Sequence, residues 1–257
     1  MNRILSSPVC WICGDVASSR EHRIKKSDLV RVFGRGPYRG ESGPLHVRNG
    51  KSSYVRGPNA AILKYRPSLC HRCNTTGTQS FDLAYELFVP WLFENEKIIL
   101  SGRFIDFAEI YGDDFSVEQC NLYKYFAKSF GCRIAEDGLR VPKDVVNLLG
   151  LPSFYTGLRL SLSVNEDTLS LAKEMGRGWF GKGECYYSAK REAPADLVAC
   201  TWHEDIFWLR INYWYDCVPD PTQGSVWVAD SQCVYLGSCA PLSQEMRADI
   251  ISCGDPD

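Results

Sequence analysis

Cys10-Trp11-Ile12-Cys13 and Cys70-His71-Arg72-Cys73 are the only two CxxC pairs in this 257-residue chain, and they constrain its fold more than any other feature. Each pair places two thiolates within reach of one tetrahedral Zn²⁺ at about 2.3 Å, and two such knuckles make a four-thiolate site. Gly14, directly after Cys13, can take the positive φ that lets the chain turn tightly under the metal. A redox CxxC needs a helix beginning at the motif and no second pair, so the second pair favours zinc. Four sulfurs leave no open coordination position; such a site staples the fold and does no chemistry itself. The N-terminus reaches Ser6, Ser7 and Pro8 before any apolar run forms, which reads as a cytoplasmic chain without a signal peptide, its thiols kept reduced. The other eight cysteines (Cys120, Cys132, Cys185, Cys200, Cys217, Cys233, Cys239 and Cys253) lie scattered among apolar residues and read mostly as small buried hydrophobes.

Hydrophobic residues make up 45% and charged residues 23% of the chain, a globular balance that excludes a disordered or collagen-like protein and allows one or two domains. The most apolar stretch, Leu83 to Leu100, is broken by Glu86, Glu94, Glu96 and Lys97, so no membrane span is expected. The net charge of -2 conceals an asymmetry: residues 1–80 carry 14 Lys and Arg against 4 acids, a balance of +10, and the remainder carries -12. A basic third joined to an acidic remainder points to a polyanion partner for the basic part, the alternative being a solvated basic face.

Between the knuckles runs Ser18-Ser19-Arg20-Glu21-His22-Arg23-Ile24-Lys25-Lys26. An acid directly before a His puts the two side chains on opposite faces of an extended chain, so one can hold a metal while the other faces a substrate. Residues 30–66 are rich in Gly and Pro with Arg or Lys every few positions, a loop system holding a short hairpin, Leu45–Arg48 and Lys51–Val55, around Asn49-Gly50. Mobile basic loops suit a salt-dependent grip on phosphates. After the second knuckle, Asn74 leads through a polar turn to Ser80, an N-cap candidate, and Phe81, Ala84, Tyr85 and Phe88 mark one apolar helix face. Asp82 falls in the first turn, where the helix dipole alone would account for it.

The ordered combination of CxxC, Glu-His with a basic run, CxxC-Asn, and then Gly and Asp at a helix start resembles the zinc-stapled HNH endonucleases with the ββα-metal motif, over roughly residues 8–96. The resemblance implies a divalent-metal-dependent endonuclease that hydrolyses phosphodiester bonds of nucleic acid, with double-stranded DNA the expected substrate. Carried over residue by residue, it implies Glu21 as a metal ligand, His22 as the general base, and Asn74 or Asp82 as the second ligand. No His follows the second knuckle, and no evident Asn orients the base; Tyr65 and Asn59 are nearby instead. Arg20, Arg23, Lys25, Lys26 and Arg72 are the expected nucleic-acid contacts. The chemistry agrees: a His near its ordinary pKa takes a proton from water at neutral pH, and a hard cation relieves phosphoryl charge. Carboxylate and amide oxygens suit Mg²⁺ or Mn²⁺, whereas Cys10, Cys13, Cys70 and Cys73 suit a structural Zn²⁺. His71 reads as solvent-facing or phosphate-contacting, and His46 and His203 as structural.

Farther along, Val117 to Phe130 predicts an amphipathic helix ended by Gly131, Pro90 a new turn or a kink, and Lys143 to Leu149 a short helix. Past Pro152 the pattern alternates: Leu158–Val164, Cys185–Ser188, Leu197–Thr201, Ile206–Trp214, Ser225–Val228 and Gln232–Leu236 predict an antiparallel sheet, with Trp179, Trp202, Trp208, Trp214 and Trp227 as core. The expected architecture is α+β: an HNH-like zinc-containing nuclease domain over 1–96, a helical connecting segment over 97–150, and an acidic β-rich domain over 151–257 that regulates, recognises or forms a homodimer. Two other readings stand beside it. One is a catalytically degenerate, zinc-stapled module that grips nucleic acid; the other is a protein-interaction factor whose acidic domain mimics or blocks a nucleic-acid site.

Overall fold

The computed structural model describes residues 8–39, 43–48, 51–150, 156–176, 178, 180–190, 195–217 and 226–254. The chain is α+β, with a four-cysteine cluster near the N-terminus, a helical middle and a C-terminal mixed sheet. Among the described residues no helix is long and apolar enough to cross a membrane.

The N-terminal part holds α1 (Lys26–Phe33) and the antiparallel hairpin β1 (Leu45–Arg48) and β2 (Lys51–Tyr54), with Arg48 opposite Lys51. Its Asn49-Gly50 turn lies outside the described residues. Two extended segments close this part: Ser19 bridges Leu69 and His22 bridges Lys64, both antiparallel. The middle runs through α2 (Gln79–Glu94), α3 (Glu96–Gly102), β3 (Phe104–Asp106), α4 (Phe107–Tyr111), α5 (Phe115–Glu136) and α6 (Lys143–Gly150). The last part comprises β4 (Leu158–Val164), α7 (Glu166–Met175), β5 (Phe180–Lys182), β6 (Tyr186–Ala189), β7 (Leu197–Ile206), β8 (Leu209–Asp216), β9 (Cys233–Tyr235), β10 (Gly237–Ser238) and α8 (Gln244–Gly254).

α5 organises the molecule because it is apolar on more than one side. The expected face of α2 packs on one side of it, with Tyr85 stacked on Tyr125 at 4.0 Å between ring centroids and Phe88 edge-on to Phe126. On another side Phe130 stacks against Tyr213 of β8. One hydrophobic core therefore runs from Phe81 through α5 to Leu236, and the boundaries expected at residues 96 and 150 both fall within its span. The sheet order is β10-β4-β8-β7-β5, with β6 also on β7. Its ladders are antiparallel except at one edge, where β10 runs parallel to β4; the sheet is mixed, not purely antiparallel as expected.

Several local expectations are corrected, each for a packing reason. α5 does not end at Gly131 but continues to Glu136, because the missing side chain makes room for the Trp11 indole: a Cβ there would lie 2.5 Å from two ring atoms. α2 continues through Pro90 to Glu94. A 3₁₀ turn over Thr76–Thr78 starts the helix earlier than Ser80, which lies inside it and is not its cap. The expected strands around Ile206 are β7 and β8, joined through Phe207 and Trp208, with Phe207 at a φ of 57°; the turn carries no Gly or Asn to signal it. The expected strand Ser225–Val228 contributes a single described bridge, Trp227 to Leu160, and Ser225 lies outside the described residues. Trp202, Trp208 and Trp227 are core, Trp214 is exposed, and Trp179 lies outside the described residues. Of the eight cysteines expected to be mostly buried, Cys132 and Cys200 are buried, Cys120, Cys185, Cys233 and Cys239 are half-buried, Cys217 is exposed, and Cys253 is outside the described side chains.

Candidate functional site

Each knuckle is shaped by its own backbone. The Cys10 N–H donates to the Asp15 carbonyl and the Gly14 N–H to the Cys10 carbonyl, and Gly14 has the expected positive φ, 84°. In the second knuckle the Asn74 N–H donates to the Cys70 carbonyl and the Cys73 N–H to the Cys70 sulfur. The sulfurs of Cys10, Cys13, Cys70 and Cys73 all lie within 4.8 Å of one another, with Cys13 and Cys70 at 3.6 Å. A ZnS₄ tetrahedron has edges of about 3.8 Å, so the cluster is consistent with a structural Zn²⁺ site. The Cys73 backbone N–H is the first cause holding the Cys70 thiol down at about 7. Cys10, Cys70 and Cys73 bury together with Tyr65, Leu69 and Cys132, so the cluster is seated on α5.

Glu21 and His22 lie on the extended segment that pairs with residues 63–69; the Tyr65 N–H donates to the Glu21 carbonyl and the Arg23 N–H to the Leu63 carbonyl. The helix α2 follows, so the order is extended, extended, helix, present as isolated bridges and not as a continuous ladder. Asp82 occupies the first turn of α2, as expected.

The structure brings Glu21 and Asp82 to one place, through a residue the sequence reading did not single out. Lys128 of α5 sets its Nζ 3.2 Å from Asp82 Oδ2, 3.7 Å from Glu21 Oε1 and 3.3 Å from Thr78 Oγ1. Its side chain is 1% exposed, and a buried ammonium without carboxylate partners would be strongly unfavourable. Burial pulls its pKa down, but Glu21 and Asp82 outweigh that and hold it above the ordinary lysine value. A second cation, Lys25, lies 2.9 Å from Asp82 Oδ1 and 3.4 Å from Glu86. Asn74 is placed differently: its amide donates to Ser19 Oγ at 2.8 Å, and its Oδ1 is buried without a partner. Among the described residues the four cysteines are the one group of three or more Cys, His, Asp or Glu able to hold a metal.

His22 shares no partner with Glu21. Burial first, then Lys64 and Lys26, depresses its pKa to about 4, opposed by a side-chain hydrogen bond with Asn59. Its Nε2 is buried without a partner. The imidazole is therefore neutral at neutral pH, with a nitrogen unused by the fold, but it is a weaker base than the ordinary histidine expected from the sequence.

The expected nucleic-acid contacts divide. Arg23 is paired at 2.7 Å with Glu136 of α5, Lys25 with Asp82 and Glu86, and Arg20 donates to the carbonyls of Tyr65 and Ala61. Lys26 and Arg72 are exposed, as is His71. Three of the five expected contacts are thus engaged within the fold, Arg23 and Lys25 by acids distant in sequence and Arg20 by backbone carbonyls. A second charge nest lies behind Tyr65, where Lys182 of β5 pairs with Glu204 of β7, which also accepts from Ser129 of α5 and from Tyr213. The signal for both nests was present but weak: Lys128 interrupts an otherwise apolar helix face, and Glu204 sits inside a strand. Compared with protein-family models, curated proteins and solved structures, the chain matches none.

Proposed function

We propose that the chain is an HNH-type endonuclease that hydrolyses phosphodiester bonds of nucleic acid, with DNA the expected substrate and His22 as general base. The observation that carries this reading is the neutral His22 imidazole, whose Nε2 is buried without a partner, on the residue next to Glu21. A buried unpartnered nitrogen costs roughly 1–3 kcal/mol, and a water or substrate oxygen is the partner that relieves it. In the reaction His22 takes the proton from the attacking water, the water oxygen bonds to phosphorus, and the bond to the leaving oxygen breaks. Lys26, which acts on His22, and Arg72 are exposed and would contact backbone phosphates.

The place between Glu21 and Asp82 suits a cation in kind: two carboxylates converge there and already embrace the Lys128 ammonium. Those two residues are the ones that would hold Mg²⁺ or Mn²⁺, which would stabilise charge building on the phosphoryl oxygens. The four-cysteine cluster would hold Zn²⁺ and keep the paired segments in place. Incubating the full chain with plasmid DNA in Mg²⁺ or Mn²⁺ tests the reading. Cleavage is expected, and His22→Ala should reduce it about 10²- to 10⁴-fold with zinc content and DNA binding unchanged. Undiminished cleavage by His22→Ala rejects the assignment of the base. A second reading, a nucleic-acid-binding module without catalysis, is favoured by the Lys128 contacts, since they already neutralise the carboxylates; absence of cleavage with salt-dependent DNA binding would select it.

A further inference from the structure

Lys128 reaches the Glu21–Asp82 pair from α5, a helix outside the N-terminal segment, and it does so from full burial. Its ammonium has Thr78 Oγ1 as a third oxygen partner, and the Thr78 hydroxyl in turn donates to the Cys73 carbonyl. The ammonium therefore sits in a built cage of oxygens contributed by the Glu21 segment, the turn before α2 and α2 itself. The space between these oxygens holds one cation, and a second placed there beside the ammonium would be strongly repelled.

We propose that Lys128 is the internal counter-ion of Glu21 and Asp82, and that a divalent cation occupies this place only by displacing its ammonium. The proposal rests on the reading that these two carboxylates are the metal pair. Lys128 is thus a positioning residue: it keeps the carboxylates converged when no metal is bound, and it sets the threshold of cation concentration at which the site loads. Lys25, 2.9 Å from Asp82 Oδ1 on the more exposed side, is a second cation the incoming ion must tolerate.

Mn²⁺ binding to the full chain, read from the electron paramagnetic resonance of the free ion, tests this without reference to cleavage. The variant Lys128→Met keeps the length and removes the charge, and it should bind Mn²⁺ at least tenfold more tightly than the wild type. Adding Asp82→Asn should abolish the gain. Lys128→Arg, which keeps the charge, should show no gain. Zinc content and thermal midpoint are measured on each variant, and Lys128→Gln serves as a second neutral replacement if the methionine variant does not fold. Equal Mn²⁺ affinity in the wild type and the neutral variants overturns the proposal, as does a gain that survives Asp82→Asn, because the ion is then held elsewhere. A gain that depends on Asp82 in a protein that never cleaves DNA would uphold it while rejecting the nuclease reading.

Discussion

Asp28 shows what burial does to a single acid in this molecule. It is 1% exposed at the start of α1, accepts a 2.7 Å hydrogen bond from the Tyr85 hydroxyl, and lies 3.5 Å from Arg31. Burial is the largest influence and raises its pKa from 3.8 to about 6, against the opposing pull of Tyr85 and Arg31. Between those two values the folded chain holds a proton that the unfolded chain has lost, so stability falls as pH rises through that window. The penalty is absent below the unfolded value and complete above about 6, amounting to about 3 kcal/mol at neutral pH. Asp28→Asn keeps an acceptor for Tyr85 and removes the titration. Urea unfolding should find the variant more stable than wild type at pH 7 and little different near pH 4. An equal difference at both pH values would show that Asp28 does not titrate in this range.

At the scale of elements, the contact between Trp11 and Gly131 couples the four-cysteine cluster to α5. A glycine inside an exposed helix usually costs about 1 kcal/mol relative to alanine, so Gly131→Ala would ordinarily stabilise. Here the added methyl meets the Trp11 ring at 2.5 Å, and overpacking of that kind costs about 1–3 kcal/mol. The thermal midpoint of Gly131→Ala should therefore fall. Trp11→Leu should relieve the clash, so that the double variant loses less than the sum of the two single variants, by at least about 0.5 kcal/mol. Additive losses would mean that the indole and the helix are not in contact in solution.

On the scale of the whole molecule, the basic N-terminal third is partly neutralised from within. Glu136 of α5 takes both Arg23 and Arg66, and Lys128 returns a positive charge to Glu21 and Asp82. The apolar face of α2 (Phe81, Ala84, Tyr85, Phe88, Val89 and Leu92) is buried in the same core as α5 and the sheet. Each large side chain of that face contributes roughly 1.5–3 kcal/mol when buried, and a four-thiolate staple does not cover them. Residues 1–96 expressed alone, although they contain all four cysteines, Glu21, His22 and Asp82, should aggregate or melt without a cooperative transition. A soluble, zinc-loaded fragment with a sharp melt would show that the staple suffices without α5.

What the sequence determined by itself was whatever depends on short spacing. The CxxC pairs, the Gly14 turn, the apolar stripe of α2, the hairpin strands and β4 with its bounds all follow from residues a few positions apart, where geometry is dictated by the chain. The Glu21–His22 pair and Asp82 were legible as candidates for the same reason. Tertiary structure alone decided which of Asn74 and Asp82 faces Glu21, because that depends on how α2 packs against α5. It also decided that Lys128 lies between them, that the His22 Nε2 is buried without a partner, and that Arg23 and Lys25 are paired internally. Charge partners separated by tens of residues leave no periodic trace in the sequence. Burial, which makes an ion pair obligatory, exists only once the core has formed.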